Sequence, residues 1–149
     1  LLYTVQFKGM TGAADAADTE PAEIPAATRE PAEALSPLLE RVADICSARG
    51  VQPVIVFDPA VYVDGEGEAY TGTDADCLAA FESVCAENGI VFIDLTDSYI
   101  REYAGSCQLP YGFVNTTPGE GHMNRVGHRL FAQEVYETIK ALEEEQNGI

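Results

Sequence analysis

Basic side chains are scarce in this chain. Lys and Arg together number 8 against 25 Asp and Glu, a formal net charge of −17. So acidic a surface repels phosphate backbones and anionic headgroups, which excludes nucleic acid as a partner. Long apolar runs are absent too. No stretch approaches the ~18–20 residues needed to span a bilayer, so no membrane contact is expected within the chain. Neither an initiator Met nor a basic n-region opens the sequence, and no signal peptide is visible. The chain starts directly on Leu1-Leu2-Tyr3-Thr4-Val5, which reads as a strand. The expectation is an N-terminally truncated domain whose upstream part, with any targeting signal, lies elsewhere.

Cys-x-x-Cys pairs are also missing. Cys46, Cys77, Cys85 and Cys107 are too scattered for a zinc site, and neither a metal nor a cofactor is expected. Cys77 and Cys85 fall on one predicted helix, about 12 Å apart along its axis, too far for a mutual disulfide. Cys46 sits on an apolar stripe and reads as a core residue. Cys107 lies in a loop, where pairing with Cys77 or Cys85 stays open.

What is present is a foldable core. The 149 residues are 46% hydrophobic, enough for one domain and too many for a disordered chain. Leu1 to Phe7 is a predicted strand. Ala13 to Pro31 is biased toward Ala, Glu, Asp, Thr and Pro. Pro21, Pro25 and Pro31 interrupt a helix there, so the segment reads as a mobile insertion. From Glu33 to Arg49, Leu35, Leu38, Leu39, Val42, Ile45 and Cys46 form one helical stripe, with Pro37 in the first turn and Gly50 as the stop.

Pro53-Val54-Ile55-Val56-Phe57 is a continuous apolar run, as expected for a strand buried on both faces of a parallel sheet. Val61 to Asp74 reads as a loop. Its acids Asp64, Glu66 and Glu68 alternate as in calcium loops, but Ala69 stands where such a loop needs Gly, so they read as solvated turn acids. Thr73 or Asp74 caps a helix to Asn88-Gly89, with an apolar stripe of Cys77 or Leu78, Phe81, and Val84 or Cys85. Ile90 to Asp94 is the next buried strand, and Thr96 to Tyr103 a short helix. A loop follows to Gly121. A last helix covers about Arg125 to Glu145, with Phe131, Val135, Ile139 and Leu142 as its packing face. Strands alternating with helices predict an α/β fold whose functional edge lies beyond the carboxyl ends of its strands.

The most informative stretch is Glu120-Gly121-His122-Met123-Asn124-Arg125-Val126-Gly127-His128. Read by its chemistry, His122 can accept a proton from a hydroxyl and return it, given a partner that fixes its tautomer. Read blandly, Asn124 is an N-cap, Glu120 a solvated acid and His122 a surface histidine.

This acid-x-His-x-Asn-x-x-Gly-His pattern resembles the last sequence block of the SGNH (GDSL-like) hydrolases and acyltransferases. The likeness extends over about Val42 to Ile139. It implies a three-layer α/β/α, flavodoxin-like domain with a parallel sheet. It implies a Ser-His-acid mechanism in which His122 is the base and Glu120 orients it. Asn124 supports the block, and Gly9-Met10-Thr11 stands in the place of an oxyanion-binding Gly-x-Asn. The family's serine follows the first strand in a Gly-Asp-Ser-like turn. Ser36, Ser47, Ser83, Ser98 and Ser106 do not fit that position, which places the nucleophile upstream of Leu1. The substrates implied are small acyl esters, acetyl esters of carbohydrate in particular, in an extracytoplasmic setting. Thr11 for Asn, Glu120 for Asp and the missing serine favour the alternative, a catalytically degenerate module that binds glycan or protein.

Overall fold

In a computed structural model, residues 26–113, 117 and 119–147 are described. The order of elements is α1 (Ala26–Ser47), β1 (Val54–Phe57), β2 (Val61–Val63), β3 (Ala69–Thr71), α2 (Ala75–Glu87), β4 (Val91–Asp94), α3 (Thr96–Ser106) and α4 (Arg125–Asn147). The fold is mixed α/β with a small parallel sheet. β1 pairs with β4, and the Val91 N–H donates to the Pro53 carbonyl at 3.1 Å and the Leu95 N–H to that of Phe57 at 3.2 Å. The sequence offset is the same at both ends, so the strands run in one direction. The predicted strand at Leu1 to Phe7 lies outside the described residues.

The chain forms two compact units, and their boundary falls within both β1 and β4. In the first, α1 packs on α2. Leu39, Val84, Cys85 and Ile90 are buried, with Ala43, Ile55, Ala80, Phe81 and Phe92 against them. The Phe81 and Phe92 rings meet edge to face at 5.7 Å. Asp74 caps α2 as its sequence position suggests, its Oδ1 accepting from the Cys77 N–H at 2.9 Å. Gly89 takes φ +65° to leave the helix.

Two expectations for α1 are corrected. The helix starts at Ala26 rather than Glu33, so 26–31 of the expected insertion are helical, and 13–25 lie outside the described residues. Pro31 and Pro37 are both interior. A proline costs a helix one hydrogen bond and ~3 kcal/mol, which strong helix formers on either side (Ala, Glu, Arg and Leu) and packing can outweigh. The single stripe is also divided. Leu39 is buried, whereas Leu38, Val42 and Ile45 are 60%, 36% and 41% exposed.

The second unit holds β2, β3, α3 and α4. Here the predicted loop from Val61 to Asp74 is instead an antiparallel hairpin, with Val61 opposite Thr71, Tyr62 opposite Tyr70 and Val63 opposite Ala69. Asp64 organises its turn. One carboxylate oxygen accepts from the Glu66 and Glu68 N–H groups, each at 2.9 Å, and these bonds hold its carboxyl below the usual range. Val61, Ile93, Leu95, Tyr99 and Leu130 are buried apolar side chains of this unit. The packing face of α4 holds most of the expected stripe, with Phe131, Val135 and Leu142 half-buried, but Ile139 is 43% exposed and Gly127 and Leu130 are its buried residues. Polar links join α3 to α4. Ser98 on α3 donates to Glu134, and Arg129 pairs with Glu102 at 2.7 Å. The Arg129 guanidinium holds the Glu102 carboxyl below its ordinary value.

No disulfide joins Cys46, Cys77, Cys85 or Cys107. Cys85 is buried, Cys46 and Cys77 are half-buried, and Cys107 is exposed. Burial, then the nearby Glu82 charge, pushes the Cys85 thiol up to about 11. Unfolding exposes that thiol and returns it to its ordinary value of ~8.5. From there up to about 11 the unfolded chain sheds a proton that the folded chain keeps, so stability falls as pH rises through this window. Urea midpoints at pH 8 and pH 10 check this. The midpoint is expected to drop, and Cys85→Ala is expected to flatten the drop. In native protein a thiol reagent is expected to modify Cys107 at once and Cys85 only on unfolding.

Candidate functional site

The loop carrying His122 is built around Asn124. Its Oδ1 accepts from the Val126 N–H at 2.8 Å and the Gly127 N–H at 3.2 Å, which caps α4. Its Nδ2 donates in the other direction, to the carbonyls of Leu109 at 2.8 Å and Gly112 at 3.1 Å. Its backbone N–H donates to Pro110 at 2.9 Å. One side chain therefore joins the start of the helix to the 109–112 segment. The same segment pairs with the chain at Met123. Tyr111 and Met123 form an antiparallel bridge, and the Gly112 N–H donates to the His122 carbonyl at 3.1 Å.

Gly127 explains how closely these pieces fit. A Cβ there would stand 2.5 Å from the Pro110 carbonyl oxygen and 2.5 Å from Met123 Cγ. In an ordinary helix interior, Gly→Ala gains ~1 kcal/mol. Here Gly127→Ala is expected to destabilise by about 1–3 kcal/mol, because backbone has to move. Thermal unfolding checks the sign.

The second tie reaches the sheet. Asp58 follows β1 directly, at the carboxyl end of that strand. Its Oδ1 accepts the Tyr99 hydroxyl at 2.7 Å and the Tyr111 hydroxyl. The two rings meet edge to face at 6.1 Å. Burial first, and then the bond to Asp58, pushes both phenols well above the ordinary tyrosine range. So Asp58 holds Tyr111, Tyr111 pairs with Met123, and His122 is the next residue. The carboxyl end of β1 and the histidine loop are joined by this chain of contacts, within one unit. The Gly119 turn adds a further contact, since a Cβ there would lie 3.3 Å from the Val61 carbonyl oxygen.

Each residue proposed from sequence can now be placed. Asn124 is half-buried and is the N-cap. His122 and Glu120 are both exposed. Neither side chain makes a hydrogen bond among the described residues. Gly9 and Thr11 lie outside the described residues. All five serines are helical: Ser36 and Ser47 in α1, Ser83 in α2, Ser98 and Ser106 in α3. Ser98 is buried and bonded to Glu134. Among the described residues no three His, Cys, Asp or Glu converge as a metal site requires, and no helix is long and apolar enough to cross a membrane.

Sequence reasoning missed Asp58, Tyr99 and Tyr111. The available signal was Asp58 itself, an acid placed just after a parallel strand.

No family model, curated protein or solved structure matches this chain.

Proposed function

We propose that this chain is the His-bearing part of an SGNH-like, three-layer α/β/α esterase or O-acyltransferase acting on small acyl esters, including acetyl esters of carbohydrate. The observation that carries the reading is the mounting of His122. An exposed imidazole sits one residue from a strand bridge and two residues before a capped helix, on a loop fastened to the carboxyl end of β1 through Tyr111 and Asp58. An exposed base on a braced loop suits proton transfer, because the loop is reachable while its support is rigid. In this mechanism His122 takes the proton from a serine hydroxyl and returns it to the leaving alcohol. Glu120 would orient the ring once substrate draws the loop together, since catalytic hydrogen bonds often tighten only in the complex. None of the five serines is placed for attack, so the nucleophile would come from outside these 149 residues.

The helical placement of every serine and the absence of a Glu120–His122 hydrogen bond favour a second reading, a degenerate α/β module that binds glycan or protein. The test that separates them uses the chain together with whatever sequence precedes it. An enzyme releases 4-nitrophenol from 4-nitrophenyl acetate and is labelled on serine by a fluorophosphonate. No release and no label would leave the binding module standing.

A further inference from the structure

We propose that the open cavity beside the His122 loop is a subsite for a neutral, mainly apolar group the size of one substituted ring, the acyl or alcohol part of the ester. The cavity has a volume of about 230 Å³. The proposal rests on the reading of His122 above for the ligand's chemical role, though the cavity's preference for its occupant does not.

Three observations define that preference. First, Leu109, Tyr111, Phe113 and Val126 line the cavity with apolar surface. Second, its most prominent polar side chain is already satisfied. Asn124 uses both amide protons on Leu109 and Gly112 and its oxygen on Val126 and Gly127. A group that displaces water from this wall leaves no Asn124 atom unpaired, so apolar occupancy carries little desolvation cost. Gln108 is the lining residue whose side-chain amide makes no hydrogen bond among the described residues, and it offers one polar contact. Third, the formal charge of −17 disfavours an anionic occupant.

The cavity is also held in shape before a ligand arrives. The Tyr111 hydroxyl is fastened to Asp58, and α4 starts against Pro110 with no side chain at Gly127. Preformed walls cut the ordering cost of binding. The backbone of His122 borders the site through the bond from the Gly112 N–H. An acyl or alkoxy group seated here would therefore lie within a few ångströms of the histidine loop.

The probe is 4-fluoroacetophenone, a neutral ring with one acceptor for the Gln108 amide, followed by fluorine NMR on the full chain. Saturable binding is expected, with 4-fluorobenzoate at least about tenfold weaker, a 1.4 kcal/mol discrimination. Val126→Phe fills the cavity and is expected to weaken the ketone at least about tenfold, while His122→Ala leaves it within about twofold. Because Val126 lies in the first turn of α4, a second arm leaves that helix unchanged. In a Cys46→Ser/Cys77→Ser background, benzyl methanethiosulfonate places a ring on Cys107, which also lines the cavity. The ketone should be displaced and should return on reduction. Absence of saturable binding, benzoate binding as tight as the ketone, or a ketone indifferent to both Val126→Phe and the benzylated Cys107 would overturn the subsite. Loss of esterase activity with ketone binding intact would instead count against the reading of His122.

Discussion

His122→Ala is expected to lower ester turnover by a factor on the order of 10³ or more while leaving the fold in place. The base and the nucleophile of an acyl-transfer site act as a unit, so removing the proton acceptor disables the serine as fully as removing the serine itself. What survives is catalysis by the oxyanion donors and binding. Stability should hardly change, because His122 is exposed and its side chain makes no hydrogen bond among the described residues. The backbone bond from the Gly112 N–H to the His122 carbonyl survives the substitution. Glu120→Gln separates orientation from proton transfer. An amide can still accept from one imidazole nitrogen, so its cost should be well below that of His122→Ala. The measurement is kcat and KM on 4-nitrophenyl acetate, with circular dichroism and a thermal scan to confirm folding. A folded His122→Ala protein with unchanged kcat would sink the assignment.

The largest expected loss of stability comes from Asp58→Ala. The carboxylate accepts from the Tyr99 and Tyr111 hydroxyls. Tyr99 is fully buried, and Tyr111 is held by the loop. Truncation leaves two phenolic hydroxyls without their acceptor in a water-poor setting, and each such group costs about 1–3 kcal/mol. The sum, about 2–6 kcal/mol, is a large share of the ~5–15 kcal/mol that holds a domain together.

Asp58→Asn keeps one acceptor oxygen and should lose less. Tyr99→Phe removes a donor together with its demand and should cost about 1 kcal/mol. Urea titration reads these differences at the transition midpoint. Hydrogen exchange adds a local readout. The Gly112 amide should exchange faster in Asp58→Ala, because its bond to His122 depends on Tyr111 staying in place. An unchanged midpoint in Asp58→Ala would show that the tyrosines find other partners at no cost.

Local sequence determined the elements whose physics is local. Val54 to Phe57 and Val91 to Asp94 are strands as their β-rich apolar runs suggest, but the expected burial on both faces is not met, since β1 is half-buried throughout and only Ile93 is buried in β4. Asp74, Asn88-Gly89 and Asn124 bound their helices as their side chains and backbone freedom require. The histidine block was legible for the same reason, since a cap and a loop residue are near neighbours in the chain.

Tertiary structure decided whatever depends on distant partners. β2 and β3 have three residues each, too short for a period-two pattern to stand out, and only their mutual pairing makes them strands. α1 continues through Pro31 and Pro37, where sequence alone placed a break or a first turn. On α4 the stripe was legible at Phe131, Val135 and Leu142, but the contacts of Glu134 with Ser98, of Arg129 with Glu102 and of Gly127 with Pro110 exist only in three dimensions. Asp58 lies 41 residues from Tyr99 and 53 from Tyr111. No periodicity links such residues, and their hydrogen bonds exist only once β1, α3 and the 109–112 segment have met. The bracing of His122 thus belongs to the tertiary structure, because the groups that hold the loop come from elements far apart in the chain.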